Sequence, residues 1–184
     1  MKVKIISLLS FVIIFICLLA CSKDEVLPSY VTIDGQKNNL NYGFFNDLGP
    51  DPSVDYRTYN IDFRSEPTQP AAFFQMEIYS LSTEALAPGT YTYSNSSPSA
   101  GMVSWVYSGT NMQFDESSVL TKGTMVSEDN HQQVTGTVTV TQETNNRLGF
   151  KFSFSFTDAN GGKKAVEGYF DKSLSEKFIV PGTP

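Results

Sequence analysis

Two stretches of strict alternation constrain this chain more than any other feature. From Val134 it reads VTGTVTVTQ, with Val134, Gly136, Val138 and Val140 on one side and Thr135, Thr137, Thr139 and Thr141 on the other. From Phe150 it reads FKFSFSFT, with Phe150, Phe152, Phe154 and Phe156 opposite Lys151, Ser153, Ser155 and Thr157. A period of two is that of a β-strand, and one apolar face opposite one polar face marks an antiparallel sheet with a core on one side. Both apolar sets are even-numbered. Directly opposed residues share a face, so their numbers must sum to an even value. A two-residue loop at Asn145 and Asn146 would set Val140 against Lys151. A three-residue loop at 144–146 pairs Val140 with Phe150, Val138 with Phe152 and Gly136 with Phe154, and closes on Glu143 opposite Arg147. That register is predicted, because a slip of one residue would turn a whole face inside out.

The remaining chain follows the same period. Strands are predicted at 30–34, 40–46 (Leu40, Tyr42 and Phe44 alternating), 57–64, 73–80, 90–94, 102–107, 112–114, 120–126 and 164–170, with an edge strand at 178–180. Residues 81–87 are the one helical candidate, at most a turn, stopped by Pro88 and Gly89. About nine or ten short strands at this spacing predict an all-β fold. An antiparallel, jelly-roll-like β-sandwich is the first choice, because the long loops at 46–55 and 94–101 interrupt a regular meander. A closed, lipocalin-like barrel is the alternative.

Composition narrows the function. The 184 residues carry 19 acids against 13 bases, a net charge of −6. Binding to nucleic acid is not expected, since phosphate contacts need clustered Lys and Arg. One histidine and two cysteines exclude a zinc finger, a disulfide framework and a bis-histidine haem site. Aromatics at 13% and charged residues at 17% argue for a packed domain rather than a disordered one.

Lys2 and Lys4 precede an uncharged run at 5–20, IISLLSFVIIFICLLA. The run is shorter than the roughly 20 apolar residues that a membrane-spanning helix needs, and its flanks match a secretory leader. It ends in Leu18-Leu19-Ala20-Cys21, which resembles the lipobox of bacterial lipoproteins; Cys17 is the poorer acceptor because bulky Ile16 precedes it. The resemblance implies cleavage after Ala20 and acylation of Cys21 with palmitate-type chains. At roughly 0.8 kcal/mol per buried CH₂, three chains anchor a protein stably. Ser22 is followed by Lys23, Asp24 and Glu25, which resembles the surface-export signal of Bacteroidota lipoproteins and implies display on the outer face of the outer membrane. The expected organisation is a leader at 1–20, the lipidated Cys21 with a polar tether to 28, and a single β domain over 29–184. With Cys17 removed and Cys21 acylated, the mature domain has no thiol and must hold together by its core. The segments APGTYTYS (87–94), GTVTVTQ (136–142) and VEGYFDKSL (166–174), taken in order, resemble small Bacteroidota surface lipoproteins over roughly 30–174. That resemblance implies a fold and an address and brings no catalytic residues with it.

Chemistry-bearing candidates are few. His131 is the sole histidine, among Ser127, Glu128, Asp129, Asn130, Gln132 and Gln133. A Ser–His–Asp relay would have to use it, yet no GxSxG elbow is present. The stretch 158–162 looks briefly like a calcium loop, but Gly162 and Tyr169 stand where ligands are needed, so a hairpin turn is expected. Asp47, Asp51 and Asp55, four residues apart in the 46–55 loop, are the better metal candidates, for calcium, against the plain reading of a solvated turn. No other cofactor is expected. Trp105 is the sole tryptophan; alternation groups it with Val103 and Tyr107, as a core residue or as a stacking platform for a ligand. Tyr91 and Tyr93 share a face beside the loop at 94–101, and Tyr56 and Tyr59 lie in or just after the other long loop. A binding site is expected where these loops meet Trp105 and Tyr107.

Three functions compete. The first is a non-catalytic binding module on the cell surface, recognising glycan or another nutrient. The second is an accessory protein docking on an outer-membrane partner. The third is a hydrolase. An exposed Trp–Tyr cluster favours the first, an exposed apolar patch or open edge strand the second, and carboxylates or His131 converging in a cleft the third.

Overall fold

The computed structural model describes residues 28–50, 53–143 and 147–176. The fold is all-β. Strands run in the order β1 (Tyr30–Ile33), β2 (Gln36–Asn39), β3 (Tyr42–Pro50), β4 (Arg57–Arg64), β5 (Phe73–Tyr79), β6 (Gly89–Tyr93), β7 (Met102–Phe114), β8 (Leu120–Ser127), β9 (Gln133–Gln142), β10 (Leu148–Thr157), β11 (Lys163–Phe170) and β12 (Leu174–Glu176). All twelve belong to one sheet, ordered β12-β3-β4-β5-β7-β6-β9-β10-β11-β1-β2, with β8 added beside β7. The sheet curls into a half-barrel. Its pairings are antiparallel except two short parallel ones, β6 with β7 and β12 with β3.

The predicted hairpin is present in its predicted register. Phe150 lies opposite Val140, Phe152 opposite Val138 and Phe154 opposite Gly136, and the Glu143 N–H donates to the Arg147 carbonyl at 2.8 Å. Gly136 is required there: a Cβ would fall 2.5 Å from Phe154 Cδ1 and 2.4 Å from the Ser153 carbonyl. The hairpin from β10 to β11 turns at 158–162, where Asp158 Oδ1 accepts from the backbone N–H of Asn160 and Gly162 at 2.8 and 2.9 Å. This carboxylate caps its own turn, as an Asx motif does.

Curling brings two limbs face to face. Phe74 on β5 stacks on Phe152 of β10 at 3.8 Å between centroids, and Phe63 on β4 stacks on Phe170 of β11 at 4.1 Å. These rings are fully or almost fully buried, and with Ile61, Met76, Ile78, Val138 and Val166 they form one core. Every strand pairing and core contact among the described residues lies within 28–176, and a chain beginning at Ser22 retains all of them.

Three local readings of the sequence differ from the structure. The alternation Leu40, Tyr42, Phe44 breaks at the β2–β3 connection: Leu40 is buried, but Gly43 and Phe45 face inward on β3 and Tyr42 is exposed. Residues 102–107 and 112–114 are one 13-residue strand rather than two. Residues 81–87 form no helix, and the single helical turn among the described residues is the 3-10 turn Glu128–Asn130. The edge strand expected at 178–180 lies outside the described residues; the described edge is β12, parallel to β3.

Candidate functional site

Strand β7 is where the sheet forks. Along one edge its Met102–Gly109 stretch pairs with β5. Along the other, Met102 and Val103 pair with β6, whereas Tyr107 onward pairs with β8. Ser104, Trp105 and Val106 therefore face the gap where β6 and β8 part. On the β5 side the register shifts between Gln75 and Glu77, so β7 carries one extra residue there, a β-bulge. Trp105 sits in that bulge with φ of +53°, in the left-handed region. For a bulky side chain this conformation costs about 1–3 kcal/mol and persists only where the surroundings over-determine it.

The surroundings do. Val103 and Val106 are both fully buried, anchoring the chain on either side of the bulge. The Val106 N–H, freed from the ladder, points to Glu128 Oε2 at 3.4 Å, and the Tyr93 hydroxyl donates to the same oxygen at 3.2 Å. The consequence is a change of face. Trp105 is 57% exposed, with its ring 6.4 Å from that of Tyr107. Trp105 thus keeps Tyr107 as a neighbour but parts from Val103, contrary to the simple alternation.

The 3-10 turn following β8 brings Asp129 to this platform and Glu128 to Tyr93 and the Val106 N–H. The Tyr107 hydroxyl donates to Asp129 Oδ2, and Glu128 sits behind Tyr93 and Val106. The Asp129 hydrogen bond, reinforced by burial, pushes the Tyr107 phenol up to about 12. Burial, reinforced by Glu128, does the same to Tyr93. Both phenols are neutral donors across the physiological range. Glu128 also lines a groove of about 330 Å³ together with Tyr93, Asn95, His131, Gln133 and Val134. His131 is half-buried, its Nδ1 3.0 Å from the Ser127 carbonyl and its ring edge-on to Phe156. Trp105 and Tyr107 form an aromatic platform with the Asp129 carboxylate bonded to Tyr107, able to stack on an apolar ring face while bonding a hydroxyl; the groove with Glu128 and Tyr93 is a separate concavity whose lining includes neither Trp105 nor Tyr107.

The other expected site residues lie elsewhere. Tyr91 is wholly buried, and its hydroxyl donates to the Ala87 carbonyl, so it belongs to the core. Tyr56 packs edge-on against Tyr79 at 5.3 Å; the Tyr79 hydroxyl donates to Glu77 and lies 3.2 Å from Ser104 Oγ, next to the bulge. Tyr59 is buried on β4. Asp47 is on β3, held by Arg57 through three contacts of 2.7–3.0 Å, which keep its carboxyl below the usual carboxylate range. Asp55 is exposed. Among the described residues no group of three or more His, Cys, Asp or Glu is placed to hold a metal ion. Asp51, Cys21, Lys23, Asp24 and Glu25 lie outside the described residues. Sequence reading passed over Glu128 and Asp129 as mere neighbours of His131; the available signal was an acidic pair directly after the end of a strand. No protein-family model, no curated protein and no solved structure matches this chain.

Proposed function

We propose that this chain is an outer-membrane lipoprotein, acylated at Cys21 and displayed on the cell surface, whose β domain binds glycan non-catalytically on the Trp105–Tyr107 platform. The observation that carries this reading is Trp105 itself: a large ring held in solvent by a strained backbone, beside a second aromatic ring that is bonded to the Asp129 carboxylate. Strain of this kind collects at functional sites. Sugar faces present C–H groups that pack on aromatic rings, and their hydroxyls suit Asp129 beside Tyr107. The address rests on the lipobox and the Lys23-Asp24-Glu25 run.

The test is thermal melting of the chain from Ser22 with soluble laminarin, xylan, mannan or starch. A ligand at 100 times its Kd adds about 2.7 kcal/mol, which raises the midpoint of a domain this size by several degrees. A selective rise that disappears in Trp105→Ala supports the reading, and a flat panel overturns it.

One feature favours the accessory-protein reading. Strand β8 pairs only with β7 among the described residues, and its free edge carries exposed Leu120 and Met125 beside Val119. An uncovered apolar edge is a site of strand addition or docking. Under that reading, Met125→Lys abolishes capture of an outer-membrane partner, whereas Trp105→Ala leaves it intact.

A further inference from the structure

At the far end of β9 and β10 from the Trp105 platform, the two limbs of the curled sheet do not meet. Val134 on β9 borders the groove beside Glu128, whereas Gln142, at the other end of the same strand, borders a cavity of about 500 Å³. Its walls come from both limbs: Phe45 and Ile61 from one, Leu148 from the other, with Leu86 and Leu174 from the segments after β5 and β11. Phe45, Leu86, Leu148 and Leu174 are only partly buried against the core, so the cavity wall is apolar surface left in contact with water. Leaving such surface wet forfeits roughly 25 cal/mol per Å², and a volume of this size matches a small-ligand site rather than a packing defect.

The polar fittings give the ligand a sign. The lining includes Arg147 and no Asp or Glu, although the chain as a whole is acidic. Arg147 is ion-paired with Asp171 through Nε at 2.8 Å; neither Nε nor Asp171 Oδ1, both buried, makes a hydrogen bond, so the pair occupies only one edge of the guanidinium. The terminal guanidinium nitrogens donate no hydrogen bond among the described residues. An apolar pocket with one cation at its rim and planar donors to spare matches a carboxylate on a hydrocarbon body.

We propose that this cavity binds a small monoanionic amphiphile of the fatty-acid type, its chain among Phe45, Ile61, Leu86 and Leu174 and its carboxylate on Arg147. The site is separate from the Trp105 platform and does not depend on glycan binding there.

The experiment is calorimetric titration of the chain from Ser22 with dodecanoate below its micelle concentration, with 1-dodecanol as the uncharged probe. Dodecanoate binds saturably at one site. Arg147→Gln weakens it at least tenfold and leaves dodecanol unchanged, while Arg147→Lys restores part of the loss. Removing Arg147 leaves Asp171 buried without its partner, so a second variant is needed in case the first misfolds: Leu86→Trp fills the cavity and weakens both probes. Trp105→Ala changes neither. Absence of saturable binding, binding indifferent to both Arg147→Gln and Leu86→Trp, or binding that arises only after deletion of residues 177–184 overturns the proposal; the last outcome would make the chain's own tail the occupant.

Discussion

The β9–β10–β11 limb and the fork in β7 are built from similar residues and end differently. In the limb, pairing runs unbroken from Leu148 opposite Gln142 to Thr157 opposite Gln133, and again from Phe150 opposite Phe170 to Thr157 opposite Lys163. Every second side chain is core, so any slip would expose four phenylalanines, and the register is over-determined. In β7 the ladder changes partner from β6 to β8, gains an extra residue and turns Trp105 outward. Regular pairing produces a wall. The break in pairing produces a side chain that points where burial alone would never send it, beside Tyr107 and its partner Asp129. The lesson is that in a sheet with few polar clusters, the place to look for function is where the ladder is interrupted and the interruption is itself held in place.

The largest effect that separates the two regions is on stability. Phe152→Ala removes the ring stacked on Phe74 at the centre of the two limbs. It should cost about 3–5 kcal/mol, read by equilibrium denaturation with the slope unchanged. A cost below about 1 kcal/mol would mean that the limbs do not pack as described. Trp105→Gly should do the reverse. It relieves a left-handed conformation worth roughly 1–2 kcal/mol and incurs a glycine entropy cost of roughly 0.5–1 kcal/mol. The melting midpoint should stay or rise while glycan binding is lost. A large loss of stability would make Trp105 a structural residue and remove the contrast between the regions.

A smaller effect appears at high pH. Tyr79, Tyr93, Tyr107 and Tyr169 are each pushed up to about 12; burial is the leading cause for three of them, and the hydrogen bond to Asp129 for Tyr107. The folded protein thus keeps these protons after the unfolded chain has released its own near 10. The stabilisation is present in full below pH 10 and is lost as pH rises toward 12. Tyrosinate absorbance should show a late group of phenols, and Asp129→Asn should move one of them, Tyr107, earlier with little change at neutral pH. Titration of all nine tyrosines together near pH 10 would contradict the carboxylate placement.

The alternation made the limb legible down to its register, because burial there depends on one variable, the parity of residue numbers. It also placed β4 at Arg57–Arg64 and singled out Trp105 and Tyr107, whose rings the structure sets side by side. It did not reveal the orientation of Trp105. The bulge lies in the β5–β7 ladder, across the strand from the edge where β6 gives way to β8, and nothing in MVSWVYS marks it: no glycine or proline stands there. Tyr91 and Tyr93 were readable as sharing a face, but that this face is the core depends on β6 lying between β7 and β9. Asp47 looked available because its partner, Arg57, arrives only through the β3–β4 pairing. The end cavity had no signature, since its walls come from segments distant in the chain that each read as ordinary core.

The central claim, that Trp105 is a binding platform, can be read from the residue itself, because it is the only tryptophan in the chain. The measurement is intrinsic fluorescence of the chain from Ser22, titrated with laminarin, xylan, mannan and starch. The account predicts a solvent-exposed emission maximum in the free protein, and a saturable blue shift or quench with at least one glycan. An already buried emission maximum, or a spectrum that no glycan moves while the domain stays folded, would contradict it.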